Sequence, residues 1–135
     1  MGKARDGGRA GPLTLDAGAL VAYERRDNAV RAMIRRALDA GMDVMVPAAA
    51  LAQVWRDGRR QAMLVRLLRE DRVEVVDLDE DAAKASGELC GHRDTRDVLD
   101  ASVVVCARDR PGATLLTSDP ADLRHLDPGL DVRRV

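Results

Sequence analysis

The most constraining feature of this sequence is a regular alternation of short apolar segments with longer segments of helical periodicity. The predicted strands are LTLDA, DVMVPA, RVEVVDL, ATLLTSD and LDVRRV, and helical patterns fill the intervals between them. Parallel neighbours in a sheet need a long crossover connection, which is usually a helix. The alternation therefore predicts an α/β fold, with three α/β/α layers around a mainly parallel central sheet.

The predicted helices are GALVAYERR, NAVRAMIRRALDAG, AAALAQVWRDG, RRQAMLVRLLRE, DEDAAKASGELCG and DVLDASVVVCARDR. The second is expected to end at Gly41, because glycine is the usual residue just past a helix C-terminus. A chain of 135 residues is expected to form one domain. Residues 1–12 are glycine-rich and lack an apolar core, so we expect a flexible tail there and a folded domain over residues 13–135.

Composition excludes several classes of protein. The chain has 22 lysine and arginine residues against 23 acidic ones, so its net charge of -1 excludes the global basic field of many nucleic-acid binders. Neither a signal peptide nor a membrane span is predicted. Cys90 and Cys106 lack disulfide-exchange or metal-ligand spacing, which indicates a reducing, cytoplasmic environment.

Two carboxylates stand directly after predicted strands. Asp16 follows the first strand and Asp119 follows the fourth, and ligands of open parallel sheets bind at the carboxyl ends of the strands. Helix capping explains each residue equally well, because aspartate accepts hydrogen bonds from free helix N–H groups and Pro120 suits a first helical position. Capping and metal binding both remain open for these residues.

Asp100 is harder to explain as an ordinary surface residue, because its helix, DVLDASVVVCA, has almost no polar face. An unpaired carboxylate buried there would be costly or would take up a proton. One explanation is that Asp97 caps the helix and Asp100 belongs to a capping box. The other is a metal site with Asp16 and Asp119, whose oxygen-only ligands suit Mg²⁺ or Mn²⁺ and hence phosphodiester hydrolysis.

Four segments also resemble a known family. LTLDAGALVAYER, VPAAALAQVWR, DVLDASVVVCA and LLTSDPADL occur in the order and at the approximate spacing of the PIN domain, and they most closely resemble VapC-type toxins of bacterial toxin–antitoxin pairs. The resemblance runs from Leu13 to the end of the chain. It implies an Mg²⁺- or Mn²⁺-dependent endoribonuclease that cuts RNA, forms a homodimer and is neutralised by a cognate VapB-type antitoxin.

Carried over by position, the resemblance assigns catalytic and metal-binding roles to Asp16, Asp100 and Asp119. Thr117 matches the hydroxyl residue that usually stands two positions before the last acid. These assignments are expectations from the family pattern.

One family acid is missing. Where the family has a glutamate in the helix after the second strand, this chain has Gln53, which keeps an oxygen ligand but loses a negative charge. Asp97 and Asp122 each lie one helical turn from a site acid and are candidates to supply that charge, and Glu24 is a weaker one.

Two alternatives compete with the nuclease. An aspartyl phosphotransferase would need a second acid two residues after Asp16, but Gly18 stands there. A degenerate PIN domain, which binds RNA or antitoxin without cleavage because of Gln53, predicts weak or absent metal binding.

Two clusters of arginines are candidates for contact with an RNA backbone. A solvated surface explains them equally well. They comprise arginines 25, 26, 31, 35 and 36, and arginines 56, 59, 60, 66 and 69.

Overall fold

The structure is a computed structural model that describes residues 11–135. Residues 1–10 of the predicted tail lie outside the described residues. The last two tail residues pair with the segment that precedes the fourth strand. The Gly11 N–H donates to the Gly112 carbonyl at 2.9 Å, and the Thr114 N–H donates to the Pro12 carbonyl at 3.0 Å.

The described residues form a single five-stranded sheet. Its strands are β1 (Leu13–Leu15), β2 (Val44–Pro47), β3 (Val73–Val76), β4 (Thr114–Thr117) and β5 (Asp131–Arg134), in the order β3-β2-β1-β4-β5. Every neighbouring pair is parallel, which confirms the predicted fold class. The strand order reverses between β1 and β4, and such a switch point opens a crevice beyond the carboxyl ends of the two strands.

Seven helices connect the strands across residues 11–135. They are α1 (Ala17–Glu24), α2 (Asn28–Asp39), α3 (Ala48–Val54), α4 (Ala62–Leu68), α5 (Glu80–Arg93), α6 (Val98–Arg108) and α7 (Pro120–Leu126). The predicted end of α2 is confirmed, since Gly41 follows it with φ +78, a conformation that glycine adopts without strain. No helix between residues 11 and 135 combines the length and apolarity that a bilayer crossing needs.

The segment after Gln53 differs from the prediction. The pattern AAALAQVWRDG predicts one continuous helix, whereas α3 ends at Val54 and a loop follows. Gln61 holds this loop: its Oε1 accepts hydrogen bonds from the N–H groups of Arg56 (2.8 Å) and Asp57 (3.0 Å), and its Nε2 donates to the Val54 carbonyl (3.0 Å). The side chain thus satisfies backbone groups that a longer helix would have paired, so the loop has its own hydrogen-bonded structure.

Helix α6 is the most thoroughly buried helix next to the sheet. Residues 101–107 are all buried, and the helix packs against β1 and β2. Its first turn is different, because Val98 and Leu99 are exposed and Asp100 is half-buried. The Asp100 carboxyl therefore lies in the first turn of α6, where the helix changes from exposed to buried.

Candidate metal centre

Asp16 lies between β1 and α1 and is buried, with only 7% of its surface exposed. Its Oδ1 accepts a hydrogen bond from the Ala19 N–H at 2.8 Å and so caps α1. Burial raises the pKa of the Asp16 carboxyl, hydrogen bonds from the Thr117 hydroxyl and from backbone N–H groups oppose this rise, and the negative charge of Asp119 adds to it. Asp16 therefore caps α1 and also interacts electrostatically with the Asp119 carboxylate.

Gly18 allows the end of β4 to approach the start of α1. A Cβ atom at this position would lie 2.1 Å from the Ser118 Oγ and 2.9 Å from the Ser118 Cβ, distances that no side chain tolerates without movement. The glycine that excludes the phosphotransferase motif is thus required for packing, and it lets Asp16 and Asp119 share one edge of the sheet.

We expect Gly18→Ala to lower the free energy of unfolding by about 1–3 kcal/mol, because overpacking forces the neighbouring backbone apart. Urea denaturation of the variant and of Gly18→Ala/Ser118→Gly tests this, since the second substitution removes both clashing atoms. Recovery of stability in the double variant, beyond the sum of the single effects, is the expected result. Equal stability of Gly18→Ala and wild type would contradict the close approach.

Asp119 occupies the N-cap position of α7, with Pro120 next in the chain, but its side chain makes no capping hydrogen bond. Its N–H donates to the Thr117 Oγ1 at 2.9 Å. Its carboxyl is hydrogen-bonded to that of Asp122, and this bond and the Asp119 charge raise the pKa of the exposed Asp122 carboxyl. Capping thus does not account for the Asp119 side chain, and the Thr117 hydroxyl links the Asp119 backbone N–H to the Asp16 carboxyl.

Asp97 caps α6, since its Oδ1 accepts a hydrogen bond from the Asp100 N–H at 3.1 Å. The capping box is not completed, because the Asp97 N–H donates to the Thr95 Oγ1 (3.2 Å) instead of to Asp100. The two carboxyl groups are hydrogen-bonded to each other. Burial, this bond and the negative charges of Asp97, Asp16 and Asp122 raise the pKa of Asp100 to about 7.

These residues form one connected group of acids, which we call the acidic cluster: Asp16, Asp97, Asp100, Asp119 and Asp122. Among residues 11–135, none of them forms an ion pair with a basic side chain. Carboxylates held this close together need protons or a cation to offset their repulsion. Of the three acids expected from the sequence, Asp16 interacts through its charge with both Asp100 and Asp119, and Asp97, Asp122 and Thr117 make further contacts with these acids.

The cluster fits a divalent cation by the type of its ligands. It offers only oxygen atoms and an excess of negative charge, which suits Mg²⁺ or Mn²⁺. In their present orientations, no three carboxylate, imidazole or thiol groups in the described part of the chain surround a common point. Their oxygens are instead engaged in the caps and the carboxyl pairs given above, so an ion would have to replace some of those bonds.

Gln53 and Glu24 make no hydrogen bond to the acidic cluster within the described residues. Gln53 is exposed on α3, and within residues 11–135 no hydrogen bond joins its side chain to a cluster acid. The Glu24 oxygens accept hydrogen bonds from the Gln61 Nε2 at 3.2 and 3.1 Å. The role of Gln61 was not predictable from the sequence, because a glutamine before an apolar helix is usually exposed, whereas this one is buried by tertiary packing.

Comparisons with known proteins identify the family and the fold. A family model described as the PIN domain matches residues 13–127. No curated protein matches the chain's sequence at a significant level.

Solved structures of similar fold include toxin–antitoxin proteins. VapBC2 from Rickettsia felis, bound to a promoter DNA fragment, is 14% identical with a TM-score of 0.67, covering 91% of this chain and 98% of that one. DNA-bound VapBC from Salmonella typhimurium is 17% identical with a TM-score of 0.66, covering 92% and 98%. VapC20 from Mycobacterium tuberculosis, described as a sarcin–ricin loop cleaving toxin, is 17% identical with a TM-score of 0.57, covering 76% and 86%.

Proposed function

Because this chain belongs to the PIN-domain family, we propose that it is a metal-dependent endoribonuclease toxin whose active site is the acidic cluster. The observation that carries the proposal is the group of carboxylates at the β1–β4 switch point, which no basic side chain of residues 11–135 neutralises. A relative of similar fold is described as cleaving the sarcin–ricin loop, which favours RNA as the substrate.

The proposed ligands of Mg²⁺ or Mn²⁺ are Asp16, Asp100 and Asp119. When bound, such an ion would neutralise charge on the phosphoryl oxygens and would make a bound water more acidic, which is the chemistry that phosphodiester hydrolysis needs. The chain's own residues orient these ligands. The Ala19 N–H and the Thr117 hydroxyl fix the Asp16 carboxyl, and Thr117 also holds the backbone of Asp119.

Asp97 has a different part in the proposed site. Its carboxyl is hydrogen-bonded to that of Asp100, and the pair retains a proton near neutral pH because the pKa of Asp100 is about 7. We propose that Asp97 and Asp122 supply the negative charge that Gln53 lacks. Thr117 acts as a positioning residue, since it contacts both neighbouring acids.

The proposed partners are a cognate VapB-type antitoxin and a second copy of the chain. The structures from Rickettsia felis and Salmonella typhimurium are VapBC proteins, and this supports an antitoxin partner. We propose a cytoplasmic location, which agrees with the free, buried thiols of Cys90 and Cys106.

Gln53 favours a second candidate function. A PIN domain without the family glutamate would bind RNA or antitoxin and leave the RNA uncut. This alternative and the nuclease differ in one observable, which is metal-dependent cleavage by the wild-type chain.

The test is incubation of total cellular RNA with the purified chain, in Mn²⁺ and in chelator, beside Asp16→Asn. The nuclease predicts fragments that require Mn²⁺ and are reduced at least about 100-fold by Asp16→Asn. Asp71→Asn, which removes an exposed carboxylate outside the cluster, is the matched control and should cleave like wild type. Fragments that persist in chelator or in Asp16→Asn would contradict the proposal, and cleavage only after Gln53→Glu would establish the degenerate alternative.

Gln53→Glu is expected to tighten Mn²⁺ binding on the order of tenfold, because it adds a carboxylate at the position where the family has one. Calorimetric titration with Mn²⁺ measures this. Ala52→Glu adds the same charge at the neighbouring exposed position of α3 and should have a much smaller effect. Equal Mn²⁺ affinities of Gln53→Glu and Ala52→Glu would place position 53 outside the metal site.

A further inference from the structure

A groove of about 390 Å³ lies between the ends of β2 and β3, the starts of α3 and α5, and one face of α6. We call it the α5–α6 groove. Its volume is in the range of known ligand pockets, and apolar side chains, including Val76, Ala85 and Val105, form much of its surface. It shares no lining residue with the acidic cluster, so it is a separate feature of the molecule.

The rim of the α5–α6 groove is strongly acidic. Four aspartates line it: Asp77, Asp79, Asp81 and Asp109. Within residues 11–135 none of them forms an ion pair. Arg110 also lines the groove, but its guanidinium donates to the Cys106 carbonyl at 2.9 Å and pairs with none of the four acids. The rim therefore keeps an excess of negative charge.

The groove continues an exposed apolar edge of the sheet. β3 is an edge strand, and its Val75 is 39% exposed, while Leu78, which lines the groove, is 43% exposed. The opposite edge strand, β5, carries arginines and an aspartate, side chains that discourage pairing with another chain. The β3 edge carries a single charged side chain, Glu74, so it has less of this protection and offers an extended segment both apolar contacts and backbone hydrogen-bonding groups.

We propose that the α5–α6 groove binds an extended basic peptide segment of a partner protein, with an apolar side chain in the groove and arginine or lysine side chains at the acidic rim. The four carboxylates repel phosphates and acidic peptides, whereas they attract cations. The exposed Leu78 and the alanine-rich surface accept an aliphatic side chain. This inference does not depend on the nuclease proposal.

The test uses a fluorescein-labelled peptide of sequence Arg-Leu-Arg-Val-Arg-Leu-Arg and the intact chain, followed by fluorescence anisotropy. We expect saturable binding that weakens as salt rises, and no binding of the peptide in which glutamate replaces every arginine. Asp77→Asn/Asp109→Asn should weaken binding about tenfold. The matched control, Asp71→Asn/Glu88→Gln, removes two exposed carboxylates outside the groove and should bind like wild type. Ala85→Phe, which fills the groove, should abolish binding.

Three outcomes would overturn the inference. Equal affinity of the Asp77→Asn/Asp109→Asn variant and wild type would show that the peptide does not use the rim. Displacement by Mn²⁺, together with loss of binding in Asp100→Asn, would place the peptide on the acidic cluster. Self-association of the chain at the concentrations used, removed by Ala85→Phe, would assign the groove to a second copy.

Discussion

Replacement of Asp100 by asparagine is expected to abolish metal-dependent RNA cleavage and, at the same time, to stabilise the metal-free protein above neutral pH. The loss of cleavage, at least about 100-fold, follows from removal of a proposed metal ligand. The gain in stability follows because the pKa of Asp100 is about 7 in the folded chain, well above the ordinary value of 3.8. At pH 8 the folded protein holds this ionised carboxylate beside Asp97 and Asp16, whereas unfolding releases it to water.

The stability effect should be on the order of 1 kcal/mol, since the Asp100 side chain is only half-buried and solvent screens part of the repulsion. Urea denaturation in chelator measures it at about pH 8 and again at about pH 4, where the difference should be much smaller because the folded carboxyl is protonated and the unfolded one is only partly ionised. A less stable Asp100→Asn at the higher pH would show that the carboxylate supports the fold and is not strained by its neighbours. Asp71→Asn again controls for the loss of one negative charge.

Mn²⁺ affinity is expected to rise steeply with pH, by up to about tenfold per pH unit below pH 7, because the ion must displace the proton that Asp100 shares with Asp97. A raised carboxyl pKa also makes the folded state bind more protons than the unfolded state between the ordinary value of 3.8 and about 7. The free energy of unfolding in chelator should therefore fall as pH rises through this window.

Calorimetric titrations with Mn²⁺ at about pH 5.5, 6.5 and 7.5 test the pH dependence, and buffers of different ionisation enthalpy count the protons released. Thr95→Ala is an informative comparison, because it removes the acceptor of the Asp97 N–H but leaves every cluster acid in place. An affinity that does not change with pH would mean that the ion avoids Asp100.

The fold could be predicted because the sequence patterns that indicate it extend over only a few neighbouring residues. Strands β1 to β4 are short, mainly apolar segments between helical patterns, and alternation of this kind leaves few architectures other than a parallel sheet. The end of α3 was not predictable, since it depends on hydrogen bonds from the Gln61 side chain, which lies seven residues beyond Val54. Helical periodicity carries no information about such a contact.

The acids of the candidate site could be named from the sequence, but their relation to helix capping could not be decided there. Capping and clustering are not exclusive: Asp16 and Asp97 each cap a helix, and each also lies beside another carboxylate. Asp119, which has the more typical capping sequence, makes no capping bond with its side chain. The reason lies in neighbouring groups, because the Asp119 carboxyl is hydrogen-bonded to that of Asp122 and the Thr117 hydroxyl accepts from the Asp119 N–H.

The pairing of β1 with β4 has a consequence for the order of events during protein synthesis. Leu13 pairs with Thr114, so β1 cannot pair with β4 until about 100 further residues have left the ribosome. Asp119 emerges later still, whereas Asp16 and Asp100 are already present. A ribosome-bound chain therefore lacks an assembled acidic cluster until most of the domain has been translated, so any activity that depends on the whole cluster begins only after that point.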